Sequence, residues 1–304
     1  MKNVTTFRLG FFTAVCISLV LCGCESLEPE RRPSQMASAP TVRPAASVIA
    51  PTMASDVLPT PMSAPSIYAD SAILIDAVTG RTIYEKNANS RRQVASTQKL
   101  LTALLIAERG SLDGSITIAP VDTQVEPVKL GLKAGQTYSR RSLLTAMMVK
   151  SSNDAAAALG RDHSGSVSGF VQAMNYRAAG LGADSSYFVN PHGLPAGQFS
   201  TARDVARIAF YAYRKPELRA MMALPAYTFR FTTGRTTRLE ATNKLLTRSP
   251  IFNGMKTGYT VAAGRCLVTS ASYGGRQVIL VQLGSRTRYI FDDAERLIYW
   301  ALKR

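Results

Sequence analysis

The sequence predicts an α/β domain whose sheet is built from both ends of the folded region, with a helical stretch inserted between them. Three observations lead there. A hairpin pattern stands at 71–87, a second at 265–284, and the chain between them runs mostly at helical period.

The first hairpin reads SAILIDAVTGRTIYEKN, with apolar Ile73, Leu74 and Ile75, a turn at Val78-Thr79-Gly80, then Thr82-Ile83-Tyr84. The next segment, STQKLLTALLIAERG, repeats Leu100, Leu101, Leu104, Leu105 and Ala107 and stops at Gly110, which predicts a helix. Further helices are predicted over 139–152, in NDAAAALGRD, over 167–182 and over 201–215. The second hairpin, RCLVTSASYGGRQVILVQLG, turns at Gly274-Gly275. The last stretch, FDDAERLIYWALKR, places Phe291, Ala294, Leu297, Ile298 and Ala301 on one helical face. Asp292 and Asp293 lie near its positive end, and Lys303 and Arg304 at its negative end.

Ahead of this region the chain has another character. Lys2 and Arg8 precede an apolar run from Leu9 to about Gly23, short for the ~20 residues that span a bilayer but suited to a secretory signal. It ends Leu21-Cys22-Gly23-Cys24, which resembles a bacterial lipobox with Cys24 as the lipid-bearing cysteine; Cys22 is an unusual occupant of its slot. Glu25 follows where an Asp would retain a lipoprotein, so the resemblance implies the outer membrane. Residues 25–66 are rich in Pro, Ala and Ser, hold no aromatic residue and lack a period, the composition of a tether. The expected organisation is a signal peptide at 1–24, a tether at 25–66 and a folded domain at 67–304.

The net charge is +16 over the chain and +15 over 67–304, an attraction toward anionic surfaces or polymers. An exported chain seldom meets nucleic acid, so anionic lipid, outer-leaflet saccharide or cell-wall carboxylate is the expected counterpart. An arginine-rich but merely solvated surface accounts for the same count. Of four cysteines only Cys266 lies in the domain, so neither an internal disulfide nor a zinc cluster is expected.

Candidate chemistry starts at Ser96 and Lys99 in ASTQKLL. At i and i+3 of a helix start, the two side chains share a face, and a lysine there reaches the hydroxyl. Lysine is a poor base at its ordinary pKa near ~10.4; burial and a neighbouring cation both depress that value. Free N–H groups at the helix start suit a developing oxyanion. Ser151 and Asn153, in KSSNDA, stand where one helix ends and another begins, a place that also calls for capping residues. Lys256, Thr257 and Gly258, in GMKTGYT, precede the last hairpin, where Lys256 can supply the second cation and Gly258 lets an extended substrate approach the backbone closely. The histidines His163 and His192 lie in a polar helix end and a turn-rich loop, and no G-x-S-x-G elbow accompanies either.

Each motif alone is ordinary. In the order Ser-x-x-Lys, Ser-x-Asn, Lys-Thr-Gly they are the three-part set of penicillin-binding proteins and β-lactamases. With ILIDAVTGRTIYEKN, NPHGLP…GQFSTARD, GMKTGYT…AAG and LGSRT, the chain resembles the low-molecular-mass penicillin-binding proteins, the serine D-Ala-D-Ala carboxypeptidase family, over about 67–304. The resemblance implies a penicillin-binding-protein/β-lactamase-like α/β fold, an antiparallel sheet flanked by helices with a helical subdomain. It implies Ser96 as the acylated nucleophile, Lys99 as its base and Ser151 for proton transfer. Asn153, Lys256, Thr257, Gly258 and Tyr259 would bind substrate, with the N–H groups of Ser96 and Tyr259 as oxyanion hole. Family members often carry His at the Tyr259 position. Arg286, in GSRT, matches an arginine that binds the terminal carboxylate. The expected substrate is a peptidoglycan stem peptide, the expected covalent inhibitors are β-lactams, and no cofactor or metal is implied.

A D,D-endopeptidase that cuts cross-links with the same site is the alternative. A class A β-lactamase deacylates through a Glu beyond the Ser-x-Asn motif, and none occurs between Glu126 and Glu217. A wall-tethering protein without activity would be expected to have lost a motif residue, and all are present.

Overall fold

The computed structural model describes residues 63–303. The expected signal peptide, Cys24 and most of the expected tether lie outside the described residues.

Strands β1 (Ser71–Asp76) and β2 (Thr82–Lys86) form the first hairpin. A 3₁₀ turn, Ala95–Gln98, leads into α1 (Lys99–Glu108). A small two-stranded sheet, β3 (Ser115–Thr117) with β4 (Thr137–Ser139), is followed by α2 (Arg140–Lys150), α3 (Asn153–Ser164) and α4 (Val167–Gly180). Then come α5 (Ala202–Tyr213), α6 (Pro216–Met222) and a second small sheet, β5 (Ala226–Arg230) with β6 (Thr236–Glu240). The chain ends in β7 (Phe252–Thr260), β8 (Gly264–Tyr273), β9 (Arg276–Ser285) and α7 (Ile290–Leu302).

The main sheet runs β2-β1-β9-β8-β7, and every pairing is antiparallel. Both faces of its middle strands are buried, which is why β1 and β9 read as nearly unbroken aliphatic runs. On one face Ile73, Ile75, Ile279, Val281 and Leu283 join the core of the helical region. On the other, Ala72, Leu74, Val278 and Leu280 pack against Ala294, Leu297, Ile298 and Ala301 of α7. The predicted sheet from both chain ends is therefore present, with α7 on its outer face. The sequence reading passed over β5, β6 and α6.

Helix α1 is apolar nearly all round because it is the axis of the helical region, and residues 99–106 are all buried. Its one charged buried residue is Lys99, 0 % exposed. Strand β7 is the sheet edge, and it runs beside the turn that precedes α1. Edge strand and central helix thus meet at Ser96.

Candidate active site

Ser96 occupies the 3₁₀ turn, three residues ahead of Lys99, where the α-helical run begins. Ala95, just ahead of it, holds φ +47°. Ser151 closes α2 with φ +69°, and Val128, on the cleft wall, holds φ +60°. Left-handed backbone without glycine costs roughly 1–2 kcal/mol per residue. Three of the four such residues among those described border one cleft, so the surrounding packing spends stability to aim the chain there.

Lys99 Nζ lies 2.9 Å from Ser96 Oγ, 2.7 Å from Asn153 Oδ1 and 2.6 Å from the His192 carbonyl. Burial, and then the charge of Lys256, hold its pKa well below the ordinary lysine value. The neutral amine fits this shell without a remainder. Its two N–H groups donate to Asn153 and His192, which can only accept, and its lone pair faces the Ser96 hydroxyl. When the amine is charged, its third N–H donates to Ser96 Oγ and the hydroxyl donates to the His192 carbonyl, 3.2 Å away. The site thus has a poised state and a resting state that differ by one proton.

Lys256 is buried too, and burial lowers its pKa to about 7. Its Nζ donates to the Thr257 carbonyl at 2.9 Å. Thr257 Oγ1 donates to Thr242 Oγ1 at 2.6 Å, which fixes the threonine rotamer at the cleft wall. Gly258 has a plain reason to be glycine: a Cβ there would stand 2.9 Å from Ser96 N and 3.0 Å from the Ala95 Cβ. The close neighbour is the nucleophile's own backbone, beside the expected approach of substrate.

The amide of Asn153, expected at the substrate, has partners within the protein: Oδ1 accepts from Lys99, and Nδ2 donates to the Pro127 carbonyl. Arg286, expected at the terminal carboxylate, is exposed, with its guanidinium over the Tyr68 ring at 4.7 Å. Ser96, Ser151, Thr257, Gly258 and Tyr259 do share one cleft of about 430 Å³.

Three contributors escaped the sequence reading. His192 acts through its carbonyl; its imidazole, pushed down to about 3 by burial and Lys99, accepts from Leu194 N and makes no bond to Ser96. Gly193 beside it packs on the Ala95 carbonyl. Asp154, fully buried, accepts from the backbone N–H groups of Leu130, Gly131, Leu132 and Ala155, and so ties the loop after Val128 to α3. Asp154→Asn turns one acceptor into a donor and is expected to cost ~1–3 kcal/mol, read as a lower urea midpoint at unchanged slope.

The arrangement is that of acyl transfer to serine: a hydroxyl beside an amine held well below the ordinary lysine pKa, a second hydroxyl in the same cleft, and an edge strand along which a peptide can lie. Comparison with known proteins agrees. Residues 59–287 match the family Peptidase S11, D-alanyl-D-alanine carboxypeptidase. The chain is 32 % identical over 254 residues to a D-alanyl-D-alanine endopeptidase of Escherichia coli K12, covering 79 % of each chain. It is 34 % identical over 257 residues to the carboxypeptidase DacC of the same organism, covering 80 % of this chain and 63 % of that one. Among solved structures, a D-alanyl-D-alanine carboxypeptidase from Mycobacterium tuberculosis H37Rv superposes with TM-score 0.76 at 30 % identity, covering 82 % of this chain and 95 % of the other. The Streptomyces K15 DD-transpeptidase gives 0.75 at 29 %, covering 80 % and 100 %. With nucleophile, base and motif order in place, the chain belongs to the S11 family of D-alanyl-D-alanine carboxypeptidases, the low-molecular-mass penicillin-binding proteins, and is a serine peptidase.

Proposed function

We propose that the protein removes the terminal D-alanine from peptidoglycan stem peptides through an acyl-enzyme on Ser96. The observation that carries this reading is the buried Lys99 amine within 2.9 Å of Ser96 Oγ. Ser96 Oγ attacks the carbonyl of the penultimate D-alanine while Lys99 takes the hydroxyl proton. The C–N bond breaks as a proton reaches the leaving D-alanine amine by way of Ser151. Water then splits the ester and restores Ser96. The same serine opens a β-lactam ring, so labelled penicillin should attach to the wild type and not to Ser96→Ala; equal labelling of both would end the reading.

A second reading is supported by two relatives named endopeptidases, 32 % and 33 % identical and covered over 79 % and 76 % of their lengths. Cutting a cross-link uses the same steps with a larger leaving group. Mass analysis of muropeptides after digestion separates the two: loss of single D-alanines supports the first, conversion of dimers to monomers the second.

We place the enzyme outside the cytoplasm, lipid-anchored through Cys24 to the outer membrane and standing off on the 25–66 tether. The lipobox-like Leu21–Cys24 and the composition of the tether support this. The mature protein from its native host should begin at Cys24 and carry fatty-acyl mass; a different first residue, or no added mass, removes the anchor.

A further inference from the structure

Away from the cleft, a second cavity of about 460 Å³ lies between α6 and the end of the main sheet where β7 begins and β8 gives way to β9. Its polar lining is Tyr213, Arg219, Asn253, Ser272 and Gln277, with no carboxylate. The Tyr213 hydroxyl lies 3.4 Å from Asn253 Oδ1 and 3.3 Å from Gln277 Oε1, and Asn253 Nδ2 donates to Ser272 Oγ at 2.9 Å. These bonds occupy acceptor atoms and leave donors over. Among the described residues, the Ser272 O–H and the Gln277 Nε2 have no partner. Arg219 completes the set: its guanidinium lies over the Tyr213 ring at 5.5 Å and, among the described residues, makes neither an ion pair nor a hydrogen bond. A cavity lined by three unused donors, one of them charged, suits an oxyanion.

The surroundings say what carries that oxyanion. Ala77 N, in the β1–β2 turn, donates to the Gln277 carbonyl at 2.8 Å, and Arg214 donates to the Val78 carbonyl at 3.4 Å. Arg81, Arg214, Lys215 and Arg276 thus stand at this same end of the sheet, and among the described residues none has an ion pair. The carboxylates on these segments do not cancel them. Asp76 is spent on its own turn, accepting from Val78 N, Thr79 N and Thr79 Oγ1, and Glu217 is exposed on α6. Val78 and Tyr273, in the two turns, are exposed beside the cations. Cations interleaved with an exposed aliphatic and an exposed tyrosine match a membrane interface, where charges meet anionic headgroups and the apolar tips enter. A small soluble anion or a glycan carboxylate gives Val78 and Tyr273 no such use.

We propose that this end of the sheet docks on an anionic phospholipid surface, with one headgroup phosphate held by Arg219, Ser272 and Gln277 in the cavity. The site is remote from the peptidase chemistry and does not depend on it. Gly258, which abuts Ser96 N, is five residues along β7 from Asn253, ~17 Å away. The chain enters the sheet at Ser71, the other end of β1 from this turn. A domain resting here keeps its cleft clear of the surface.

The test uses the full chain carrying Tyr273→Trp, beside a parent whose one tryptophan is Trp300. Vesicles of phosphatidylcholine alone are compared with an equal mixture of phosphatidylcholine and phosphatidylglycerol. The mixture should shift the added tryptophan's emission to the blue and bind the chain more tightly, an excess that falls with salt. The N-terminal segment is common to every variant, so its own affinity for vesicles cancels between them. Arg81→Gln combined with Arg276→Gln should weaken binding to the mixture about 25-fold, about 5-fold for each cation at the surface. Arg219→Gln should weaken it about 10-fold, and Arg219→Lys, which keeps the charge without the fork, by less. Lys133→Gln, an exposed cation in the loop before β4, should leave it unchanged. Penicillin acylation at the wild-type rate in every variant shows that each is folded. Equal binding to both vesicles overturns the proposal, as does an unshifted tryptophan on the mixture. So does a Lys133→Gln loss as large as that of Arg219→Gln, which would mean diffuse charge alone. Free glycerol phosphate that shifts the emission as far as the mixture would make this a small-anion pocket and overturn the docking. Sedimentation with purified peptidoglycan that falls in these variants while vesicle binding holds would assign the surface to the wall instead.

Discussion

Lys99→Ala is expected to abolish acylation of Ser96 at every pH, by at least ~10²–10⁴-fold, the usual worth of one proton-transfer group. Lys99→Arg should be as inactive, since a guanidinium does not give up its proton in this range. Lys256→Ala should behave differently. Acylation needs the neutral Lys99 amine, so its rate rises with pH through the Lys99 pKa. Removing a like charge raises that pKa, and the rising limb moves to higher pH. Burial stands ahead of Lys256 among the causes of the depressed Lys99 value, so the displacement should recover only part of the way to an ordinary lysine. Lys256 itself loses its charge near pH 7. The gap between wild type and Lys256→Ala should therefore be widest below about pH 7 and narrow in alkaline buffer. Acylation rates from about pH 6 to 10 decide this; a uniform fall at all pH would leave Lys256 a binding role alone.

Gly193→Ala should be the most damaging change outside the three motifs. The residue sits at φ +89°, where a side chain is strained, and a Cβ would stand 2.1 Å from the Ala95 carbonyl oxygen and 2.9 Å from Ser96 N. Both neighbours are backbone, so no rotamer relieves the clash. Either the 190–194 loop retreats, taking the His192 carbonyl from Lys99, or the nucleophile turn moves. A displacement near ~1 Å at a reacting group costs about 10²-fold. We expect a loss of penicillin acylation of that size in protein that still unfolds cooperatively. Unchanged acylation would show that the loop yields without disturbing the site.

How far the fold could be read from the sequence depended on burial. Strands β1, β8 and β9 declare themselves because both faces are covered and each carries an apolar run, at 73–75, 266–268 and 278–281. Strand β7, reading FNGMKTGYT, carries no such pattern: it is an edge strand whose positions are given to Lys256, Thr257 and Gly258. The β5–β6 hairpin is half exposed and short; Tyr227, Phe229 and Phe231 do alternate there with Thr228 and Arg230, a signal that went unused. At the site, Ser96, Lys99 and Lys256 were legible because their side chains do the chemistry. The His192 contribution was not, since a carbonyl has no residue signature.

The partnership of β1 with β9 also governs how the molecule comes into being. Their paired residues, such as Ser71 with Leu283, are separated by roughly 200 positions, so this central ladder closes a very large loop. A chain emerging from its N-terminus can pair β1 with β2 alone, and the other edge of β1 has no partner until nearly all of the rest exists. The free edge of β1 waits, and so does the strand that flanks the nucleophile turn, because β7 joins the main sheet through β8 and β9. Nascent chains should therefore stay protease-sensitive and catalytically silent until β9 is complete.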